Sequence, residues 1–257
     1  MEYTSLPQAL EALEKLQSTM AAYNHAMGVL SQDASTAAPA GSWEGRGRTM
    51  EVLTKAAYDL NADPQNGVLY DYLQAHVWEL TPIQARELEV LKKDYDRMRR
   101  IPAREYVDYS VLLNDADAAW HKAKPANDFA AFAPYLEKIV AYCRKFAGYY
   151  NPDMDPYDAL LNEYEEGMNQ KTLDAFFAQL RGTIVPLVEK ISRKPQIDDS
   201  FLMRHYPVER QRSFSDYLME TMGIDRNYCG IAETEHPFTN NFNNRDVRIT
   251  THYFEDN

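Results

Sequence analysis

The 257-residue chain contains few cysteines, only Cys143 and Cys229. Neither lies in a paired Cys-x-x-Cys motif, so neither a disulfide framework nor a redox pair is predicted. The N-terminal segment MEYTSLPQALEALEK lacks a basic stretch followed by an apolar one, and we therefore expect no signal peptide. Together these observations favour a reducing, cytoplasmic location.

Basic residues are also in the minority, with 27 Lys and Arg against 39 Asp and Glu and a net charge of −12. Nucleic acids and anionic membranes bind basic surfaces, so we expect neither as a partner. No apolar run approaches the roughly 20 residues that a membrane-spanning helix needs. With 45% hydrophobic and 26% charged residues, the composition is typical of a folded globular chain with a sizeable core.

Apolar residues recur three or four positions apart over most of the chain, which is typical of amphipathic helices. We predict helices with both ends defined over 6–31, 43–61, 102 to about 124, 159–168, 171–193 and 207–223. Further helices are predicted to begin after residue 63, at residue 82 and at residue 127. Pro186 is expected to kink or divide the helix over 171–193. The sequence therefore predicts an all-α, mainly helical region over 1–227.

The hydrophobic period changes to that of a strand only after about residue 228. In DVRITT, Asp246, Arg248 and Thr250 would share one face of a strand. EHPF is the candidate partner strand, and the Asn-rich TNNFNN between them reads as the connection. We predict a small β-hairpin over 228–257, whose polar face either pairs internally or meets a polar ligand.

Metal-binding and nucleophile motifs are missing. None of the six histidines has a second histidine four residues later, so H-E-x-x-H does not occur. The acidic residues of NPDMDPYD do not fit the register of an EF-hand, and the preference of Asp for helix N-termini is the simpler interpretation. There is no G-x-S-x-G motif, and neither cysteine has a basic local setting. We predict no metal ligand and no catalytic residue in this chain.

Two motifs near the end of the sequence are similar to those of a known family. They are a His-Pro-Phe motif and an Asp-x-Arg-x-Thr motif, here His236, Pro237, Phe238, Asp246, Arg248 and Thr250. In this order they resemble the thermostable, Taq-type family of zinc metallocarboxypeptidases. The earlier stretches QDASTAAPAGSWEGR and DPYDALLNEYEEGM resemble the same family. Gln32 departs from the pattern, since the family usually has Trp beside Asp33, and this lessens the role expected for that neighbourhood.

The resemblance implies a zincin-related carboxypeptidase architecture in which residues 1–227 form one side of a peptide cleft. Members of the family continue from the Asp-x-Arg-x-Thr strand into an H-E-x-x-H helix, which this sequence does not contain. The chain is therefore expected to be the N-terminal half of a homodimeric enzyme that removes C-terminal residues from peptides with broad specificity. Zinc is implied for the complete enzyme, but none is expected to bind this chain, which should be inactive alone.

The sequence leaves two functions open for the chain, and two roles open for each of Arg248 and His236. The chain is either part of a metallocarboxypeptidase or a catalytically inactive helical module that binds peptides or proteins. Arg248 either pairs with Asp246 or binds a carboxylate. His236 either orders the hairpin or donates a hydrogen bond to the substrate or to the transition-state oxygen. A half-length chain is also expected to expose a large apolar patch.

Overall fold

The computed structural model describes residues 2–256 and is mainly helical, as predicted. The α-helices are α1 (Leu6–Thr36), α2 (Trp43–Asn61), α3 (Pro64–Ala75), α4 (Pro82–Met98), α5 (Ala103–Ala126), α6 (Phe129–Tyr150), α7 (Pro156–Tyr164), α8 (Gln170–Ser192) and α9 (Val208–Thr221). They are followed by the strands β1 (Cys229–Glu233), β2 (Thr239–Asn243) and β3 (Asp246–Thr251). The prediction of a helical fold with a small sheet near the C-terminus is confirmed.

Local sequence signals account for several helix boundaries. Thr81 and Gln84 form a reciprocal capping box at the start of α4, with Pro82 in the first turn. Asp155 caps α7, because its carboxylate accepts hydrogen bonds from the backbone N–H groups of Tyr157 and Asp158. Asp155 therefore serves a helix N-terminus, in line with the simpler interpretation of the sequence.

The prediction that Pro186 divides its helix is wrong, because α8 continues from Gln170 to Ser192. A proline removes the hydrogen bond to the carbonyl four residues earlier and crowds that carbonyl. Here the earlier residue is Gly182, and both positions are exposed to solvent. Water can therefore satisfy the freed carbonyl, and a residue without Cβ limits the crowding.

The chain divides into two compact units. One comprises Met1–Met27 and Ala40–Thr172, and the other comprises Gly28–Pro39 and Leu173–Asn257. The core of the first unit joins α1, α3 and α4 through buried side chains, namely Ala9, Leu13, Leu16, Leu69, Tyr70, Leu73, Leu88 and Tyr95. Because these side chains recur at helical spacing on each element, the amphipathic pattern of the sequence is what builds this core.

Tyr70 makes the stability of the first unit sensitive to alkaline pH. Burial raises the pKa of its phenol to about 12, and Tyr95 packs edge-on against it with ring centroids 5.6 Å apart. An unfolded tyrosine ionises near pH 10, so between pH 10 and 12 the unfolded chain releases this proton first. Stability therefore falls as the pH rises through that interval.

We expect Tyr70→Phe to reduce this alkaline loss of stability. Between pH 9 and 11 the free energy of unfolding of the unmodified chain should fall by about 1.4 kcal/mol more than that of the variant. Urea denaturation followed by circular dichroism at both pH values measures the difference. Tyr164→Phe, at a position that is 89% exposed, is the control for loss of a phenol. Equal pH dependence in Tyr70→Phe and the unmodified chain would contradict the assignment.

The second unit contains a three-stranded sheet in the order β1-β3-β2. Strand β1 runs parallel to β3, and β2 runs antiparallel to it. The predicted hairpin partner is wrong: the strand is Thr239–Asn243, within the stretch expected as the connection, and EHPF is a loop. The alternation of burial along this stretch explains why it is a strand: Asn240 and Phe242 are half-buried, whereas the residues between and beside them are exposed.

Two other structural features concern the helices and the cysteines. No helix among residues 2–256 combines the length and the apolar character required to cross a membrane. Cys143 and Cys229 are both free thiols, and Cys229 is buried.

Candidate functional site

The His-Pro-Phe loop is fixed to strand β3 by Thr250. The backbone N–H of Phe238 donates to Thr250 Oγ1 at 2.7 Å. In return, Thr250 Oγ1 and the Thr250 backbone N–H both donate to the Phe238 carbonyl, at 2.9 and 2.8 Å. Thr250 is buried, and its hydroxyl satisfies both backbone groups of the partly buried Phe238. The structure thus joins the two sequence motifs at one point.

Asp246 and Arg248 form a bidentate ion pair along one face of β3. Arg248 Nε donates to Asp246 Oδ1 and Arg248 Nη2 donates to Oδ2, both at 2.9 Å. The guanidinium also lies over the Phe242 ring, 5.1 Å from its centroid. The hydrogen bond to Asp246 raises the pKa of Arg248. Of the two roles considered for Arg248, the structure shows the internal pair.

The C-terminal part of α1 supports this same face of the sheet. Asn240 Nδ2 donates to the side-chain oxygen of Gln32 at 2.8 Å, and Gln32 is buried. At Gly28, an added Cβ would lie 2.5 Å from Cε1 of Phe242, so only glycine allows this close approach. Gln32 therefore has a structural contact with the sheet, while the lesser functional role expected around it stays a prediction. The glycine at position 28, inside the apolar stripe of α1, was a sequence signal for the close approach to Phe242. No sequence signal indicated the contact between Gln32 and Asn240.

His236 and Pro237 lie in the loop before β2, and both are exposed. Within residues 2–256, the imidazole of His236 makes no hydrogen bond to another protein group. His252, in contrast, bonds the Thr234 carbonyl through Nδ1 at 2.8 Å. The His236 ring is therefore free to meet a ligand, whereas the His252 ring is fixed.

Strand β2 has an open edge in the part of the chain that the structure describes. The Thr250 N–H donates to the Phe238 carbonyl, so residues 238 and 250 are a hydrogen-bonded pair of the antiparallel strands β2 and β3. Because such pairs alternate along antiparallel strands, the next hydrogen-bonded pair is 240 with 248. The backbone N–H and C=O groups of Thr239 and Asn241 consequently point away from β3. Unpaired strand groups of this kind can pair with an added extended chain.

Residues 2–256 contain no group of three His, Cys, Asp or Glu side chains that could hold a metal ion. The groups that the site formed by the two motifs does contain are unpaired backbone groups of β2, the exposed imidazole of His236 and the Asp246–Arg248 ion pair. Such groups can bind and orient a peptide.

A profile of the family described as carboxypeptidase Taq (M32) metallopeptidase matches residues 12–257. Carboxypeptidase 1 of Bacillus subtilis is 34% identical over 236 residues, which cover 91% of this chain and 47% of that protein. Thermostable carboxypeptidase 1 of Thermus thermophilus is 32% identical over 250 residues, covering 91% of this chain and 49% of that protein. The chain thus spans about half the length of the curated relatives it matches.

Solved structures give the same result. The BsuCP crystal structure superposes with a TM-score of 0.93 at 32% identity, over 97% of this chain and 50% of that chain. The M32 carboxypeptidase from Deinococcus radiodurans R1 superposes with a TM-score of 0.80 at 32% identity, with the same coverage. The helices and the small sheet described above are therefore one half of the architecture found in these structures.

Proposed function

Because the chain belongs to the carboxypeptidase Taq (M32) metallopeptidase family, we propose that it supplies the peptide-binding side of a metallocarboxypeptidase. The observation that carries this proposal is the open edge of β2 beside the joined His-Pro-Phe and Asp-x-Arg-x-Thr motifs. An extended peptide would add to this edge as a further strand. His236, Pro237, Phe238, Asp246, Arg248 and Thr250 would then form or support this side of the cleft.

Binding of the peptide as an additional strand at the edge of β2 suits an enzyme of broad specificity. The peptide would bond to the backbone of Thr239 and Asn241, and backbone hydrogen bonds are the same for every substrate residue. The exposed side chains of β2 are short and uncharged, so they add little selection by size or charge. The support for this proposal is the direction of the β2 backbone groups, not a side-chain pocket.

Within this proposal the two motifs have different tasks. The Asp246–Arg248 pair holds β3 rigid and keeps Arg248 from binding the substrate carboxylate directly. Thr250 fixes the loop so that the exposed His236 lies next to the open edge. From there the imidazole would donate a hydrogen bond to a peptide carbonyl oxygen.

The metal chemistry of the family is not assigned to residues of this chain. In a metallocarboxypeptidase the metal polarises the scissile carbonyl and activates water. The described residues do not supply a ligand set for such an ion. We propose that this chain binds peptide without hydrolysing it when alone. Zinc as the metal of the complete enzyme and a homodimer stay predictions from the resemblance, and a cytoplasmic location stays a prediction from the sequence.

Asn241→Pro tests the edge directly. Proline removes the N–H that points outward from β2 but leaves the bonds between β2 and β3 intact, as prolines on edge strands do. We expect the affinity for a fluorescein-labelled, uncharged ten-residue peptide to fall on the order of tenfold or more, because the lost backbone bond leaves a peptide carbonyl unpaired. Fluorescence anisotropy with the purified chain measures the change.

Asn241→Ala is the matched control, since it removes the side chain and keeps the backbone N–H. It should bind the peptide as the unmodified chain does. Loss of binding in the alanine variant would show that the side chain, not the open edge, recognises the peptide. Unchanged binding in the proline variant would refute edge addition. The same peptide with an amidated C-terminus shows whether the chain recognises the terminal carboxylate.

A further inference from the structure

Helix α8 carries an apolar stripe with the spacing of a helix that packs against another helix. The stripe residues are Leu173, Phe177, Leu180, Ile184, Leu187 and Ile191, at intervals of four and three residues. A regular 3.5-residue repeat keeps one seam on one side of the helix over its whole length. A seam of this kind indicates that the surface opposite it is another α-helix.

No residue of α8 is buried in the described chain. The stripe residues from Phe177 to Ile191 are between 41% and 53% exposed. Phe176 and Val188 widen the apolar surface beside the stripe and are exposed as well. Exposed apolar side chains of the kind expected of a half-length chain are therefore concentrated on α8. Continuous apolar surfaces of this kind mark interaction sites.

The family indicates what covers this stripe. This chain superposes along nearly its whole length on only half of the BsuCP chain, with a TM-score of 0.93. The other half of that architecture has no counterpart among the described residues. We infer that the α8 stripe is the docking surface for helices of a polypeptide equivalent to that other half, whether it is joined to this chain or separate from it. This inference rests on family membership, not on the peptide-binding role proposed above.

Co-expression tests the inference with a defined probe. The full chain, carrying an affinity tag, is co-expressed with the part of Bacillus subtilis carboxypeptidase 1 that this chain does not match, about half of that protein. We expect the two polypeptides to purify together in a 1:1 ratio. The double variant Leu180→Asp/Leu187→Asp should weaken the complex on the order of 100-fold or more, because two carboxylates would have to be desolvated in the seam.

Ala178→Asp/Gln179→Asp is the matched control, since it adds the same two charges to the opposite side of α8. It should keep the complex. Circular dichroism confirms that both double variants retain the helical content of the unmodified chain. A complex formed by the tagged matching half of the Bacillus protein but not by this chain would overturn the inference. So would equal binding by the two double variants.

A second copy of this chain is the competing occupant. Light scattering during gel filtration distinguishes it: a dimer that Leu180→Asp/Leu187→Asp dissociates, with no capture of the Bacillus half, would overturn the inference. The peptide-binding assay separates this result from the proposed function. The stripe variants should bind the labelled peptide normally, whereas Asn241→Pro should keep the complex and lose the peptide.

Discussion

Replacing Thr250 with Val is expected to lower the free energy of unfolding of the sheet-containing unit by about 2 kcal/mol. Valine has nearly the shape of threonine, so the substitution removes hydrogen bonds without leaving a cavity. The Phe238 N–H, which now donates to Thr250 Oγ1 at 2.7 Å, would lose its acceptor next to the buried position 250. Desolvation of an unpaired backbone group is the main cost. Urea denaturation followed by circular dichroism measures it.

Thr250→Ser is the control that keeps the hydroxyl and removes only a methyl group. It should cost less than Thr250→Val, because Phe238 keeps both of its partners. Hydrogen exchange gives a second measurement, in which the Phe238 amide should exchange faster in the valine variant and normally in the serine variant. Equal destabilisation by both substitutions would show that packing, not the hydroxyl, holds the His-Pro-Phe loop.

Much of the helical architecture follows from local sequence signals. The apolar period and the Thr81-Pro82 start predicted α4, and its capping box is formed as expected. The range 43–61 predicted α2, which is Trp43–Asn61. In both helices the residues that determine the structure are within a few positions of one another. Such information is readable from one sequence.

The sheet was less predictable because its strands depend on distant partners. Asn is uncommon in strands, so TNNFNN was expected as a connection. It forms β2 because β3 pairs with it and because Asn240 bonds to Gln32, 208 positions away in the chain. A local sequence pattern cannot indicate a hydrogen bond between residues so far apart in the chain. The site residues His236 to Phe238 were recognised by resemblance, but their attachment through Thr250 required the structure.

The second large effect is expected from Asp246→Ala. It would leave the Arg248 guanidinium without the carboxylate that accepts two of its hydrogen bonds in a partly buried setting. Removing one partner of a fully buried pair costs several kcal/mol, and because these side chains are 28% and 35% exposed we expect about 2 kcal/mol. Urea denaturation of Asp246→Ala, Arg248→Ala and the double variant measures the coupling between the two side chains.

Peptide binding by the same variants decides what Arg248 does. If the pair holds β3 rigid, Asp246→Ala and Arg248→Ala should both weaken binding, and equally for peptides with a free or an amidated C-terminus. If Arg248 instead binds the substrate carboxylate, Asp246→Ala should release the guanidinium and strengthen binding of the free-carboxylate peptide alone. Arg248→Lys adds a control, because it keeps the charge but cannot make the bidentate contact. The internal geometry of the pair favours the first result, since both carboxylate oxygens already accept from the guanidinium.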